Sequence, residues 1–276
     1  MKTHHLVAIL ASLFLCCQGT TCLADVLIEE TFTNYLDNAL ISDSPAGSAT
    51  GLMGDWSLPT NTDFYVNRTE ADLTAGTGKA VYDVNQDYNS TREATRSTSA
   101  EHVLYQNSGD RFYASFLIDP ALVNGQMMFG LGLNQLDSGG TKGFAFGIIG
   151  GQYAVGTSDG RIAAADGSVT LGEQLVLVRI EYGAGVDENE NITLWVDPLN
   201  ESSVPVIDGV SADFLNAGGG KITSVSMRGA QMGGAPAFFD DLRVGTTFAS
   251  VVPEPGTLTL CALVCIALIP LLRRRR

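Results

Sequence analysis

Few side chains between the two ends of the chain are suited to nucleophilic catalysis. Residues 25–256 contain a single histidine, His102, and all five cysteines lie outside this range, at positions 16, 17, 22, 261 and 265. Thiol chemistry and disulfides are therefore excluded there, and a hydrolytic triad is disfavoured. His102 precedes Val-Leu-Tyr and is predicted to begin a strand, as an ordinary hydrogen-bonded or exposed side chain.

Paired carboxylates are the second route to catalysis. Jelly-roll glucanases carry Glu-x-Asp-x-x-Glu on one strand, because alternation directs both acids into the same cleft. That string is absent here. Asp240 and Asp241 are adjacent and so point to opposite faces of a strand, and Arg243 is the expected ion-pair partner of Asp241. We therefore predict that the chain is not an enzyme.

Residues 187–191, Asp-Glu-Asn-Glu-Asn, place oxygen ligands at alternate positions, as in a calcium loop. Ile192 stands where such a loop needs glycine, and Pro198 stands where it needs a bidentate glutamate. An EF-hand is excluded, and the segment is predicted to be the solvated tip of a hairpin. We predict no metal ligands and no cofactor, with a looser calcium site as the alternative.

Two tryptophans, Trp56 and Trp195, are candidates for stacking on sugar rings, the usual physical basis of glycan binding. Trp195 shares a strand face with Thr193 and Asp197, opposite the apolar residues at 194 and 196. It is the predicted ligand-binding residue. Packing in the core or across strands is the alternative for this side chain.

The apolar residues recur with a period of two, which indicates strands. Turn clusters rich in Gly, Ser, Asn and Asp separate these segments, and no helical period is sustained. Many short strands over more than two hundred residues favour an all-β, two-sheet antiparallel jelly-roll sandwich, because one sheet would leave an apolar face bare. Residues 36–62 are predicted to be a long polar loop. The alternating segments are 26–32, 111–118, 127–133, 143–149, 175–182, 192–196, 221–228 and 237–244.

The charge balance excludes one class of partner. Lys2 and the four terminal arginines account for five of the 16 basic residues, so eleven remain beside 30 acidic ones and residues 25–256 carry about −19. A surface of this charge repels phosphate backbones, and nucleic acid is not a predicted partner.

The N-terminus has the composition of a secretory signal peptide. Residues 1–5 carry one Lys and two His, and residues 6–17 are apolar except for Ser12. Signal peptidase is predicted to cleave after Ala24, with cleavage after Gly19 as the alternative. A lipobox is disfavoured, because no small residue stands before any of the three cysteines.

The C-terminus, residues 251–276, has the composition of a membrane anchor. The apolar segment 257–272 would reach about 24 Å as a helix, short of a bilayer core of roughly 30 Å unless arginines extend it by snorkelling. Arg273, Arg274, Arg275 and Arg276 follow it, and such a cluster stays on the cytoplasmic side. We therefore predict a transmembrane helix over 257–272, with residues 25–256 outside.

The same tail resembles the PEP-CTERM sorting signal. Pro253, Glu254 and Pro255 form the box within 252–256, and one hydrophobic segment and the terminal arginine cluster follow. A plain tail anchor is the alternative. The resemblance implies recognition and processing by an exosortase, a membrane protease of bacteria. The two prolines suit this role because they hold a segment extended.

The domain over 25–250 resembles the concanavalin A-like, LamG-type sandwiches of planctomycete and verrucomicrobial PEP-CTERM proteins. The resemblance rests on the opening Ile-Glu-Glu-Thr-Phe at 28–32, the central segments 175–183 and 192–198, and the closing Phe-Asp-Asp-Leu-Arg-Val-Gly-Thr-Thr at 239–247. It implies that the first and last strands pair and that the concave face binds glycans.

We thus expect an exported protein, anchored transiently in the inner membrane through its C-terminal helix and then placed at the cell surface or in the extracellular matrix. Its expected partners are signal peptidase, exosortase and extracellular polysaccharide. The alternatives are a divergent polysaccharide hydrolase or lyase on the same scaffold, and a purely structural envelope component.

Overall fold

The computed structural model describes fourteen stretches of the chain, which together form fifteen strands and one short helix. The described residues are 26–32, 42, 49–57, 64–67, 79–82, 92–103, 109–120, 126–132, 144–157, 160–165, 169–182, 190–212, 221–230 and 237–252.

The strands, in chain order, are β1 Val26–Glu30, β2 Leu52–Ser57, β3 Phe64–Asn67, β4 Lys79–Tyr82, β5 Arg92–Val103, β6 Arg111–Asp119, β7 Gln126–Gly132, β8 Phe144–Ile149, β9 Gln152–Thr157, β10 Gly160–Ala164, β11 Gln174–Glu181, β12 Glu190–Val196, β13 Ile207–Ala212, β14 Lys221–Ala230 and β15 Ala237–Gly245. The helix, α1, is Phe248–Val251.

The strands form two antiparallel sheets. Sheet A has the order β13-β12-β11-β6-β15-β4-β3, with β1 also paired to β15, and sheet B has the order β10-β9-β8-β7-β14-β5-β2. In sheet A, β6 pairs with β15, and in sheet B, β7 pairs with β14. Each of these pairings joins segments that are distant in the sequence. The predicted all-β, two-sheet antiparallel sandwich is confirmed.

The core lies between the sheets and follows the predicted alternation. In β6 the side chains at 112, 114, 116 and 118 face the core, and in β11 those at 176, 178 and 180 do so. Phe116 of sheet A contacts Phe129 and Phe146 of sheet B, with ring centroids 5.8 and 5.3 Å apart. These aromatic contacts fix the spacing of the two sheets at their centre.

The first and last strands pair, as the family resemblance implies. Glu29 lies opposite Arg243, and Glu30 lies opposite Leu242. The hairpin predicted between residues 181 and 192 is confirmed in its pairing, because Glu181 lies opposite Asn191 across β11 and β12. The predicted solvated tip is wrong for residues 190 and 191, which belong to β12.

Two local predictions are wrong. Leu52–Ser57, within the segment predicted to be a loop, forms strand β2 at the edge of sheet B, because Trp56 is buried there and stacks on Phe32 at 6.1 Å. His102 does not begin a strand. It lies near the end of the twelve-residue β5, opposite Ile222 of β14.

A buried ion pair joins the two sheets. Arg96 of β5 donates to the carboxylate of Glu30 of β1, and both side chains are almost fully buried. Arg96 Nε also donates to the carbonyl of Gly54 at 3.0 Å, and the backbone N–H of Phe32 donates to Glu30 at 2.8 Å. These bonds connect β1, β2 and β5. No sequence pattern predicted the pair, because both residues occupy strand positions that ordinarily hold apolar side chains.

Replacing one member of this pair should be strongly destabilising. Arg96→Met leaves the Glu30 carboxylate buried without its guanidinium, and we expect a loss of about 3–5 kcal/mol in the free energy of unfolding at neutral pH, measured by urea denaturation. The double variant with Glu30→Gln should recover part of that loss. A loss below about 1 kcal/mol in the single variant would contradict the interpretation that this is a desolvated ion pair.

Candidate functional site on the outer face of sheet A

The carboxylates considered for catalysis form a structural arrangement. Asp240 and Asp241 are fully buried, and Arg243 Nε donates to Asp241 Oδ1 at 2.7 Å, as predicted. Arg243 also pairs with Glu29 on the neighbouring strand at 3.2 Å. Burial raises the pKa of Asp241, and the nearby Arg243 opposes that rise. Among the described residues, no group of three His, Cys, Asp or Glu side chains is placed to hold a metal ion.

The outer face of sheet A carries a second apolar cluster, separate from the core. Tyr113 of β6, Leu177 of β11 and Trp195 of β12 are all buried there. They meet because Leu177 lies directly opposite Trp195, and Arg179, two positions along β11, lies opposite Tyr113. Burial of both faces explains why β6 is buried continuously from residue 112 to 118, where alternation alone would leave every second side chain exposed.

The C-terminal segment, residues 247–252, covers this cluster. Val251 is fully buried against it, and Phe248 packs edge-on against Tyr113 and Trp195 with centroid distances of 6.2 and 6.3 Å. Ser115 Oγ of β6 donates to the carbonyl of Val251. The segment is therefore held to the sheet by apolar contacts and by a hydrogen bond from the side chain of Ser115 to the backbone of the segment.

A capping box shapes the C-terminal segment. The N–H of Ser250 donates to the Thr247 hydroxyl at 3.3 Å, and the N–H of Thr247 donates in return to Ser250 Oγ at 3.3 Å. This exchange satisfies two backbone donors at the start of a helix of only one turn. As a result, Phe248 and Val251 lie three residues apart on the face that contacts the sheet.

Polar groups fasten the neighbouring loop, residues 197–206, to the same two aromatic residues. Trp195 Nε1 donates to the carbonyl of Ser203 at 2.9 Å, and the Tyr113 hydroxyl donates to Glu201 at 2.7 Å. Arg179 also contacts Glu201, at 3.2 Å, and its guanidinium lies 5.6 Å from the centre of the Trp195 ring. Arg111 reaches the same carboxylate at 3.4 Å. The loop and the C-terminal segment thus share their anchoring side chains.

The ionisation of these groups follows from the contacts. The hydrogen bond from Tyr113 lowers the pKa of Glu201, and desolvation opposes this effect while Arg179 and Arg111 reinforce it. The pKa of Tyr113 is raised, first by desolvation and then by its hydrogen bond to Glu201. At neutral pH the cluster therefore holds two guanidinium groups around one carboxylate and a neutral phenol.

Trp195 has a packing role in this conformation. It is only 2 % exposed, with Phe248 against its ring and its N–H bonded to Ser203. Stacking on a sugar would require Phe248 to move, so the ligand-binding role of Trp195 stays a prediction. Trp56, the other candidate, is in the core beside Phe32 and offers no exposed face.

The remaining predicted functional positions lie outside the described residues. These are the cleavage site at Ala24, the sorting box Pro253, Glu254 and Pro255, the helix over 257–272, the arginines 273–276 and residues 187–189 of the acidic loop. Glu190 of that loop is buried at the start of β12. No helix within the described stretches is long and apolar enough to cross a membrane.

Sequence reasoning missed most of this cluster. Alternation did place Trp195 on the face opposite the apolar residues at 194 and 196, which was the available signal. Tyr113 and Glu201 carried no pattern of their own, and Phe248 belongs to a helix too short to show a helical period.

Comparison with known proteins gives remote structural likenesses only. No family model and no curated protein matches the chain. Among solved structures, the chain is similar to alginate lyase Aly36B in complex with alginate trisaccharide (TM-score 0.47, 12 % identity, covering 81 % of this chain and 100 % of the lyase). It is also similar to lectin UEA-II complexed with galactose (0.45, 12 %, 80 % and 99 %) and to the carbohydrate-binding module CBM66 from Bacillus subtilis (0.40, 13 %, 69 % and 94 %).

The C-terminal segment should contribute to the stability of the whole domain. Phe248→Ala removes both edge-on aromatic contacts and uncovers Trp195, and we expect a loss of about 1–3 kcal/mol in urea denaturation. Ala249→Ser is the matched control, because residue 249 is an exposed neighbour in the same helix and should change stability little. Equal stability of the two variants would show that the segment does not pack on the sheet in solution.

The Glu201 cluster should give a stability difference that depends on pH. Because the folded-state pKa of Glu201 is lowered, its contribution is present above the unfolded pKa of about 4.3 and is lost as the pH falls through the folded-state value. The stability advantage of wild type over Glu201→Gln should therefore be constant from pH 7 to about 5.5 and shrink below about pH 4.

The variant Asp241→Asn should show the opposite pH dependence. Because the pKa of Asp241 is raised, the stability of wild type relative to this variant should increase as the pH falls.

Proposed function

We propose that this chain is an exported surface or extracellular-matrix protein whose non-catalytic, concanavalin A-like jelly roll binds extracellular polysaccharide. A signal peptide directs export, the C-terminal helix holds the protein in the inner membrane, and an exosortase processes the tail. The sorting part of the proposal is supported by the resemblance of residues 253–276 to the PEP-CTERM signal.

The observation that carries the proposal is how close the residues packed on sheet A come, along the chain, to the sorting box. Val251 is fully buried on sheet A and Val252 packs against the same cluster, so the residue that follows them, Pro253, begins the sorting box. We infer that a protease that recognises an extended segment acts on the box directly after the residues that are packed on the sheet. This arrangement supports an ectodomain and a tail that act as separate units.

Several features support a binding role over catalysis. The acids at 240 and 241 are buried in a structural ion-pair arrangement, and the cluster of Tyr113, Leu177 and Trp195 on the outer face of sheet A is covered by the protein's own C-terminal segment. The proposed polysaccharide surface is then the outer face of sheet B. Its central positions are small, because Gly130 lies between Ser226 of β14 and Ala145 of β8. Gly130, Ser226 and Met128 are buried on this face, and the half-buried Thr95, Ala145 and Arg228 are its partly exposed positions.

Arg228 is a charged residue on this face, and Glu93 of β5 lies opposite it in the register of β14 and β5. Arg228 lies opposite Met128 on β7 and alternates with core residues 225 and 227, so its side chain is on the outer face. Its Nε is buried and has no hydrogen-bond partner within the described stretches. A guanidinium binds carboxylates with two parallel hydrogen bonds, so an acidic, uronate-containing polysaccharide is the ligand class that fits.

The test is a binding screen of the folded protein against acidic and neutral polysaccharides, with calcium and with chelator. We expect selective retention of uronate-rich polymers, and at least a tenfold loss of affinity in Arg228→Ala, since a charged hydrogen-bonded pair contributes about 1.5–3 kcal/mol. Arg111→Gln, an exposed arginine on the opposite sheet, is the matched control and should bind like wild type.

Either of two results would count against the polysaccharide part. Equal binding by both variants would remove Arg228 from the site, and folded protein that binds no polymer would favour the purely structural alternative. Shortening of the polymer during incubation would instead identify a hydrolase or lyase.

A further inference from the structure

Exposed apolar side chains are concentrated in one loop. Five large apolar residues are exposed in the described part of the chain, and three of them, Leu199, Val204 and Val206, belong to the ten residues between β12 and β13. Leu199 is 92 % exposed and Val204 is 89 % exposed. Isolated exposed apolar residues are ordinary, but several within one ordered loop mark a contact surface.

Hydrogen bonds within the loop and to Trp195 hold this loop in place. Ser203 Oγ accepts from the N–H groups of Leu199 and Asn200 at 3.1 and 3.2 Å, and the N–H of Ser202 donates to Asn200 Oδ1 at 2.9 Å. The carbonyl of Ser203 in turn accepts from the Trp195 indole. The loop is therefore built to hold its apolar side chains outward, and their exposure is not the result of missing structure.

The loop lies beside the C-terminal segment, which holds the last described residues of the chain. Trp195 and Tyr113 contact the C-terminal segment on one side and residues 201–203 of the loop on the other. Two aromatic side chains thus separate the loop from Val251. Val252, the last described residue, and the exposed loop belong to the same side of the molecule.

The short stretch of chain after Val252 limits the distance between the surface around Val252 and the apolar segment 257–272. Five residue steps separate Val252 from Thr257, where the apolar segment begins, and they span at most about 17 Å when fully extended. This reach is no larger than the radius of gyration expected for a domain of this length, roughly 17 Å. While the apolar segment is inserted in a bilayer, the face around Val252 must stay near the headgroups.

We propose that the loop 197–206 is a membrane-contact surface that seats the domain on the bilayer while the tail anchors it, an inference that rests on the proposed anchoring. Leu199 and Val204 enter the boundary between headgroups and acyl chains, as exposed apolar side chains of peripheral proteins do. Arg111, half exposed at the rim of the same face, lies where a guanidinium meets lipid phosphates. The rest of the strongly acidic domain is kept outside the headgroup region.

The chain offers a clean spectroscopic test. Both native tryptophans are only 2 % exposed, so the emission that a tryptophan at an exposed position adds over wild type reports the surroundings of that position. We would reconstitute the full chain carrying Leu199→Trp into vesicles of phosphatidylcholine and phosphatidylglycerol, with and without brominated phosphatidylcholine. Met53→Trp is the matched control, because Met53 is 54 % exposed on β2, at the edge of sheet B opposite the β10 edge that contacts β13.

We expect brominated lipid to quench the added fluorescence of Leu199→Trp about twofold and to leave that of Met53→Trp unchanged. Equal quenching at both positions, or none at position 199 in protein that resists extraction by alkaline carbonate, would overturn the membrane contact and leave the anchor intact. A spectral shift at position 199 that grows with protein density, without quenching, would assign the surface to a second copy of the chain instead. Extraction of the protein by carbonate would overturn the anchoring itself, and the contact with it.

Discussion

The centre of sheet A, at β6, β11 and β12, is buried on both faces, and the arrangement of the proposed functional surfaces depends on this constraint. Its inner face packs on sheet B through the aromatic core around Phe116. Its outer face would leave Tyr113, Leu177 and Trp195 in water if nothing covered them, at a cost of roughly 25 cal/mol per Å² of apolar surface. The C-terminal segment supplies that cover, so residues 247–252 have to stay on this sheet.

The charged groups reinforce the same organisation. Arg96 and Glu30 connect the sheets near the first strand, and Arg243 connects the last strand to the first through Glu29 and Asp241. Glu201 gathers Tyr113, Arg179 and Arg111 at the outer face. Each group of charges lies beside the start or the end of the folded chain. Both termini of the domain are therefore held firmly, which suits a domain proposed to be carried by a tail.

The sequence predicted structure correctly where the alternation of apolar residues along a strand decides which side chains are buried. Alternation correctly assigned the core faces of β6 and β11, because one side of each strand has to meet the other sheet. It also placed Trp195 opposite Leu194. Alternation could not assign a role to Trp195, since a tryptophan that packs and a tryptophan that stacks on a sugar would both lie on the face opposite the core. The contact of Phe248 with the Trp195 ring is what indicates packing here.

Other features depended on contacts between distant segments, which local patterns do not encode. Strand β2 lies in a Gly-rich polar stretch and is recognisable only through the stacking of Trp56 on Phe32. Arg96 resembles a solvent-facing residue until Glu30, 66 positions earlier, is brought beside it. The exposed loop at 197–206 was likewise not predicted, because exposure of Leu199 and Val204 is a property of the folded surface.

The central claim is that the fold continues through Val252 and that the sorting tail begins directly after it. The most direct test is the intact mass of the mature protein recovered from a bacterium that contains an exosortase, which locates its new C-terminus. The account predicts a mature chain that retains residues 247–252, because Val251 and Phe248 are packed on sheet A and their peptide bonds are shielded from an active site that needs an extended segment. A mature chain ending before Phe248 would contradict it, since the outer face of sheet A would then be left uncovered.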